Sequence, residues 1–556
     1  MNGNAEKERC NDDFSLILTL RQTDPFYEKK KKLLHARGFD PEVQVLFTRS
    51  SASLNDTLKV LVEAARIIHL DEDELYFARV NANHPENIYS SRNELEALNS
   101  ILSLINISLN NAAHKKMDIL EMLRDATLDM IREFGERNGE ELLIEKRACL
   151  AEDLLLQWAK DRGLKTKLQI AHVKGAGRGA LAVNDLKVGD TALEIPVSII
   201  ISEEVVYESE MFHILKELEG LSPETMLLLW SMIERYNSES KFKIFFDTLP
   251  ETFNTGLSFG IEALTTLEGT LLFEEIIQAK EHLRMQYDAL CPLLCNKHPD
   301  MFQPELYTWD RFLWACELWY SNSMKVVFPD GKLKTCLVPV AGLLNHSLCP
   351  HIIHYGRVDS ASKALKFSLS RPCREGEQCY LSYGKFSSSH LITFYGFMPR
   401  GENIYDVIPL DIDAPQTDDF GNCHESEWTA HMVQGTWLSS NHELFNYGLP
   451  PPLLNYLRAT LNDSKLPTET FVDTENEMAV LETLRSIFNP MLEGLSVLVN
   501  GQRENLEWDV KLALEFKDLQ IRIISSVLAS CSAGLEMLQC LELKETMNAA
   551  ATSEDN

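Results

Sequence analysis

The apolar run Val338-Pro339-Val340-Ala341-Gly342-Leu343-Leu344 stops abruptly at Asn345-His346-Ser347. A run of this kind must be buried. The polar side chains that close it must then spend their hydrogen bonds on a neighbouring segment or a ligand. Downstream, Gln378 to Tyr383 reads as a short strand ended by Gly384. Tyr383 stands where strand meets loop, a common place for chemistry. Tyr395-Gly396-Phe397 forms a third, tyrosine-bearing turn. Taken singly, each piece also reads as a buried strand with satisfied polar ends.

Taken together and in this order, the pieces resemble the C-terminal half of a SET domain of the Rubisco large-subunit methyltransferase type. That family carries Asn-His-Ser, then Gly-Glu with Tyr-Gly six residues on, then Tyr-Gly-Phe. Here these are Asn345-His346-Ser347, Gly376-Glu377 through Tyr383-Gly384, and Tyr395-Gly396-Phe397. The resemblance implies an α+β chain: a SET-domain β-fold with a helical insert, flanked by helical regions. It also implies S-adenosylmethionine as cofactor and a protein lysine as methyl acceptor. Histidine is an alternative acceptor, and a binding scaffold that has lost activity is an alternative of another class.

A second glycine-bearing stretch tests a competing fold. The strand Leu168 to Val173 runs into Gly175-Ala176-Gly177-Arg178-Gly179-Ala180, which matches the phosphate-binding fingerprint of dinucleotide folds. That fold requires a helix to open at the glycines. Instead the chain continues Leu181-Ala182-Val183, turns at Asn184-Asp185 and Gly189-Asp190, and extends again from Ala192 to Pro196. Two short strands leave no room for a crossover helix. Glycines here let backbone lie directly against a ligand. The stretch resembles the opening of a SET domain, whose loop grips the cofactor largely through backbone; this implies contacts from Ala176, Gly177 and Arg178.

The resemblance implies the remaining roles. Asn345 and His346 would meet adenine through backbone, and Phe397 would pack beneath it. Tyr383 would sit beside the transferred methyl and orient the amine, with Tyr395 lining the acceptor channel. The helix Trp309 to Met324 ends in Ser321-Asn322-Ser323-Met324 where the family has Ser-Arg-x-Phe. The family's arginine pairs with the cofactor's carboxylate, so Asn322 would have to do so through an uncharged amide, a weaker contact. Gly342 stands where the family has aspartate. Phe245 to Pro250 resembles the hallmark of the inserted region, which spans about 203–303.

The flanks are less informative. Residues 1–148 read as an N-terminal helical extension, with Leu58, Leu61, Val62 and Ala65, then Leu98, Ile101, Leu102 and Ile105, at helical spacing. Breaks fall at Asn81–Asn87 and Asn106–Asn111; no role is assigned to the region. The SET domain is expected over 149–405. Residues 406–556 open on an acidic linker with Asp411, Asp413, Asp418 and Asp419, and resemble the family's all-helical C-terminal substrate-binding domain. A last helix is expected from Leu512 to about Met537.

Composition excludes several classes. The 556 residues carry 53 basic and 83 acidic side chains, a net charge of −30. Such a chain repels nucleic acid and favours a basic protein partner. Lys29 to Lys32 is the one basic cluster, read as a solvated helix face or a nuclear address. No apolar run approaches the roughly 20 residues of a membrane span. The acidic stretch Met1 to Asp13 does not suit a leader peptide. The 12 cysteines form no CxxC pair, which suits reduced thiols in an intracellular protein; a cytoplasmic or nuclear monomer is expected. His346, Cys349, His351 and His354 are zinc-ligand types in one stretch. Pro350 divides them and the resemblance commits His346 to the cofactor, so no metal is expected.

Overall fold

The computed structural model describes residues 14–47, 51–78, 89–111, 114–139, 144–146, 150–412, 428, 430–434, 444–461, 474–495 and 506–554. The Met1–Asp13 stretch, the Asn81–Asn87 break and the acidic positions Asp413, Asp418 and Asp419 lie outside the described residues.

The N-terminal region is mainly helical but is built on a two-stranded antiparallel sheet that helical spacing did not reveal. Strands β1 (Phe14–Thr19) and β2 (Glu42–Phe47) pair antiparallel from Phe14↔Phe47 to Thr19↔Glu42, with α1 (Tyr27–Ala36) between them. Along β2 exposed and buried residues alternate strictly, so Val43, Val45 and Phe47 face inward. Helices α2 (Ser51–Ile68), α3 (Glu72–Phe77), α4 (Ser91–Asn110) and α5 (His114–Arg137) complete the unit. Leu58, Leu61, Val62, Ala65, Leu98, Ile101 and Ile105 share its core, as their spacing required. The lysine cluster lies on α1, but it is no free basic face. Lys30 is buried, pairs with Asp24 at 2.8 Å and donates to the carbonyl of Ile68 at 2.9 Å.

The central domain follows β3 (Ile144–Lys146) and α6 (Leu150–Lys160). Its strands are short: β4 (Lys165–Thr166), β5 (Leu168–Val173), β6 (Gly177–Ala182) and β7 (Thr191–Pro196). The hairpin and second return are those read from the sequence, with no crossover helix. An insert of α7 (Glu204–Tyr207), α8 (Phe212–Leu215), α9 (Pro223–Glu234), α10 (Lys243–Asp247), α11 (Ile261–Thr266) and α12 (Leu271–Lys297) interrupts the strands. Helix α13 (Trp309–Asn322) returns the chain to β8 (Ser323–Val327) and β9 (Leu333–Leu337), then β10 (Val358–Asp359), β11 (Ala364–Ser368) and α14 (Ser388–Tyr395). The sheets are β3-β5-β6, β10-β11-β7-β4 and β8-β9. One core, from Leu155 to Leu381, joins sheets and insert.

The C-terminal region is not all helical. Strands β12 (Val407–Leu410) and β13 (His431–Gln434) pair antiparallel ahead of α15 (Pro451–Leu461), α16 (Thr474–Leu495) and α17 (Trp508–Glu554). By length and composition α17 passes for a membrane span over Trp508–Lys544. Half of its most apolar window is buried in the protein, where Ile523, Ile524, Val527 and Cys531 pack with α15 and α16.

The N-terminal unit is fastened to the other two. The carbonyl of Ser370 accepts from Asn99 Nδ2 at 2.9 Å, and Tyr76 Oη lies 3.1 Å from His431 Nδ1. Tyr405 donates to Asp71 at 2.8 Å.

Candidate active site

Two distant segments meet through one carboxamide. Asn345 Nδ2 donates to the carbonyl of Arg178 at 2.9 Å and lies 3.5 Å from that of Ala176. Both carbonyls belong to the turn into β6, where Gly175 and Gly177 adopt φ of +75° and +67°, the left-handed region that glycine enters at little cost. Gln378 Oε1 accepts from the same amide at 3.2 Å. A Cβ on Gly179 would lie 2.0 Å from that oxygen, so only glycine permits the approach. Arg178 offers the site its backbone alone. Its guanidinium turns toward Glu152, 3.3 Å away, and donates to the carbonyl of Thr248 in the insert.

The stretch Gln378 to Tyr383, expected as a strand, forms no regular ladder. It is bridged at Gln378 to Leu181, and at Leu381 to both His346 and Ile352. Leu381 donates to Asn345 O at 2.8 Å and accepts from Ser347 N at 3.3 Å. This clasp fixes Asn345-His346-Ser347 against the tyrosine segment. Val340, a β-branched residue at φ +74°, opens the turn that delivers them. Backbone so placed is strained and must be held by its surroundings.

Tyr383 is held at both ends. Its backbone N–H donates to His346 Nδ1 at 3.1 Å and its hydroxyl donates to Leu344 O at 2.9 Å. Burial pushes the phenol well above its ordinary pKa, so the hydroxyl stays protonated at neutral pH. Burial likewise pushes Tyr395 up to about 12 and His346 down to about 4. The Tyr395 ring stacks on Tyr383 with centroids 5.1 Å apart. Phe397 stands 6.2 Å from both Tyr383 and His346 and 6.5 Å from Tyr395. The four rings form an aromatic wall beside the glycine turn.

Helix α14 aims Tyr395. Asp406 anchors its start, accepting from Ser388 N at 2.6 Å and Ser388 Oγ at 2.8 Å. Burial pushes that carboxyl up to about 6 against these hydrogen bonds. Gly396 ends the helix at φ +77°, and a Cβ there would overlap Asn254 O of the insert at 1.6 Å.

Asn322 reaches the site region at the end of α13, where Nδ2 donates to Ser321 Oγ at 2.7 Å. Its carboxamide borders Gly342, so the two departures from the family pattern are neighbours. Sequence reasoning missed Gln378. It is buried, and among the described residues its Nε2 has no hydrogen-bond partner. The available signal was an amide inside an otherwise apolar strand.

The residues fit S-adenosylmethionine. The bare glycine turn, the aromatic wall and the unpartnered Gln378 amide offer backbone, stacking and donor contacts. The histidines and cysteines read as zinc-ligand types are not gathered as a set. His351 instead meets Cys373 and Cys379, with ligand atoms within 4.8 Å of one another. Both ring nitrogens of His351 are already committed. Nδ1 accepts from Tyr380 N–H at 3.0 Å, and Nε2 pairs with Glu377 at 3.0 Å. A neutral imidazole bonded this way keeps no lone pair for a metal.

A family model described as Rubisco LSMT substrate-binding matches residues 21–156. This is the N-terminal unit, to which the sequence reading gave no role. The chloroplastic Rubisco large-subunit N-methyltransferase of Pisum sativum is 24% identical over 430 residues, covering 72% of this chain and 86% of the pea protein. The chloroplastic fructose-bisphosphate aldolase-lysine N-methyltransferase of Arabidopsis thaliana is 28% identical over 48% of this chain and 55% of its own. The actin-histidine N-methyltransferase of Gallus gallus is 22% identical over 48% and 45% respectively. Among solved structures, the SET domain of LSMT bound to lysine and AdoHcy superposes with a TM-score of 0.53 at 22% identity, covering 70% of this chain and 92% of that one. Fold, motifs and matches together show a SET-domain fold and a likeness to the Rubisco large-subunit methyltransferases and their relatives.

Proposed function

We propose that the chain is an S-adenosylmethionine-dependent protein-lysine N-methyltransferase. The observation that carries this reading is the Asn345 carboxamide, which joins the glycine turn to the segment that holds Tyr383. The cofactor supplies an activated methyl on a sulfonium, so the protein's task is chiefly orientation. Lysine must attack as a neutral amine, although its pKa in water is about 10.4. The aromatic wall of Tyr383, Tyr395 and Phe397 favours the uncharged form by desolvation. The Tyr383 hydroxyl, protonated and fixed on Leu344 O, orients the incoming nitrogen. Backbone carbonyls beside it accept weak C–H···O contacts from a polarised methyl. The named substrates of the relatives are proteins, and the net charge of −30 favours a basic surface on the partner.

Labelled-methyl transfer into a cell extract, followed by mass spectrometry, tests the assignment. Label on lysine supports it, and label on histidine moves the acceptor to the alternative. The uncharged pair Asn322 and Gly342 favours one further reading, a binding scaffold without activity. Calorimetric absence of S-adenosylmethionine binding decides for that scaffold.

A further inference from the structure

We infer that Arg400 binds the carboxylate of the cofactor, an inference resting on the S-adenosylmethionine reading. The amino-acid end of that cofactor carries a carboxylate, and a carboxylate partly withdrawn from water is best met by a guanidinium. The nearest cation of the glycine turn is unavailable, because Arg178 is spent on Glu152 and the carbonyl of Thr248. Asn322 carries no charge, and its amide donates to Ser321. Arg400 stands three residues beyond Phe397, and its Nη2 lies 3.6 Å from where a Cβ on Gly175 would be. The guanidinium therefore lies against the bare backbone of the glycine turn itself. Among the described residues Arg400 makes no hydrogen bond and no ion pair, although the chain has an excess of acidic groups to offer it. With Gly175 and Phe397 it lines a cleft of about 1030 Å³ between the N-terminal unit and α17. It is an exposed cation beside the glycine turn with its donors unspent.

The neighbouring Lys174 is the control. It is exposed, next to Gly175, and does not line that cleft. Calorimetry on the full chain with S-adenosylmethionine, S-adenosylhomocysteine and decarboxylated S-adenosylmethionine separates the contributions. Arg400→Gln should weaken the first two about 10- to 100-fold and leave the decarboxylated compound unchanged. Lys174→Gln should alter none of them. Both substitutions are at the surface, and an unchanged melting curve shows that the variants fold. The inference is overturned if Arg400→Gln leaves S-adenosylmethionine binding intact, if it weakens all three compounds equally, or if Lys174→Gln carries the loss. Failure of the unaltered protein to bind any of the three removes the cofactor reading and this inference with it.

Discussion

Gly342 and Asn322 face each other so closely that a Cβ on Gly342 would lie 3.2 Å from Asn322 Oδ1. The family pattern has aspartate and arginine at these two places. Here both charges are gone and the space between them is filled by a carboxamide. The positions should therefore behave as a coupled pair. Gly342→Asp alone drives a carboxylate onto an amide oxygen and should weaken S-adenosylmethionine binding about tenfold. Adding Asn322→Arg supplies the missing cation and should recover that loss, with a coupling energy of about 1–3 kcal/mol. A calorimetric double-mutant cycle measures it; strict additivity refutes the coupling.

Tyr383→Phe separates chemistry from binding. The ring, its stacking on Tyr395 and the backbone donation to His346 survive, while the hydroxyl on Leu344 O is lost. The single-turnover rate of methyl transfer should fall about 10²-fold, with the dissociation constant of the cofactor nearly unchanged. Collapse of cofactor binding with turnover retained would reverse the role assigned to this tyrosine.

The site was more legible in the sequence than the flanks were, for a physical reason. Around Gly175–Ala182 the φ demands and the close approach of Gln378 to Gly179 fix residue identity. Three such motifs in order leave few alternatives. The N-terminal two-stranded sheet pairs Phe14 with Phe47, and nothing in either six-residue strand records a partner so far along the chain. In β12 Pro409 sits inside the strand, which argues against a strand in any window reading. Gln378 to Tyr383 reads as a strand from the sequence, but in the structure it is a segment bridged on both sides by separate loops at Gln378 and Leu381. That arrangement depends on tertiary neighbours alone.

His346 makes the fold sensitive to acid. Its imidazole is driven from an ordinary pKa of 6.5 to about 4 by burial, so the folded state holds it neutral while the unfolded chain protonates. The sign follows: this contribution is complete above pH 6.5 and is lost as pH falls through 4. His346→Gln keeps an acceptor for the Tyr383 N–H without a titrating ring. Between pH 7 and pH 4 the unaltered protein should lose about 3 kcal/mol more than this variant, measured by urea midpoints. Parallel pH dependences would show that His346 is solvated instead.

Gly396→Ala should be among the most damaging single changes. The residue ends α14 in left-handed backbone, and its missing Cβ is the space that Asn254 O occupies. Alanine pays for the conformation and must also push the insert away from Tyr395. A loss of at least about 3 kcal/mol is expected, read as a fall in melting temperature. Gly494→Ala, with nothing near its Cβ, should be harmless or slightly stabilising.

Arg92 tests whether the N-terminal unit is part of one cooperative block. Its guanidinium contacts Asp71 at 3.3 Å and Glu96 at 3.0 Å, and also pairs with Glu74. Nε lies 3.3 Å from the hydroxyl of Tyr405, beyond the SET core. Asp71 and Glu74 are both buried; Asp71 keeps Lys385 at 3.2 Å, but removing Arg92 strands the Glu74 carboxylate. Arg92→Met should cost about 3–5 kcal/mol. Tyr405→Phe loses the donation to Asp71 and the acceptor for Arg92 Nε and should cost about 1–2 kcal/mol. If the unit is integral to the fold, each variant melts in a single shifted transition. A second transition at the original temperature would mean that the unit matched by the substrate-binding family model unfolds on its own. The network around Arg92 would then stabilise that unit alone rather than fasten it to the SET domain.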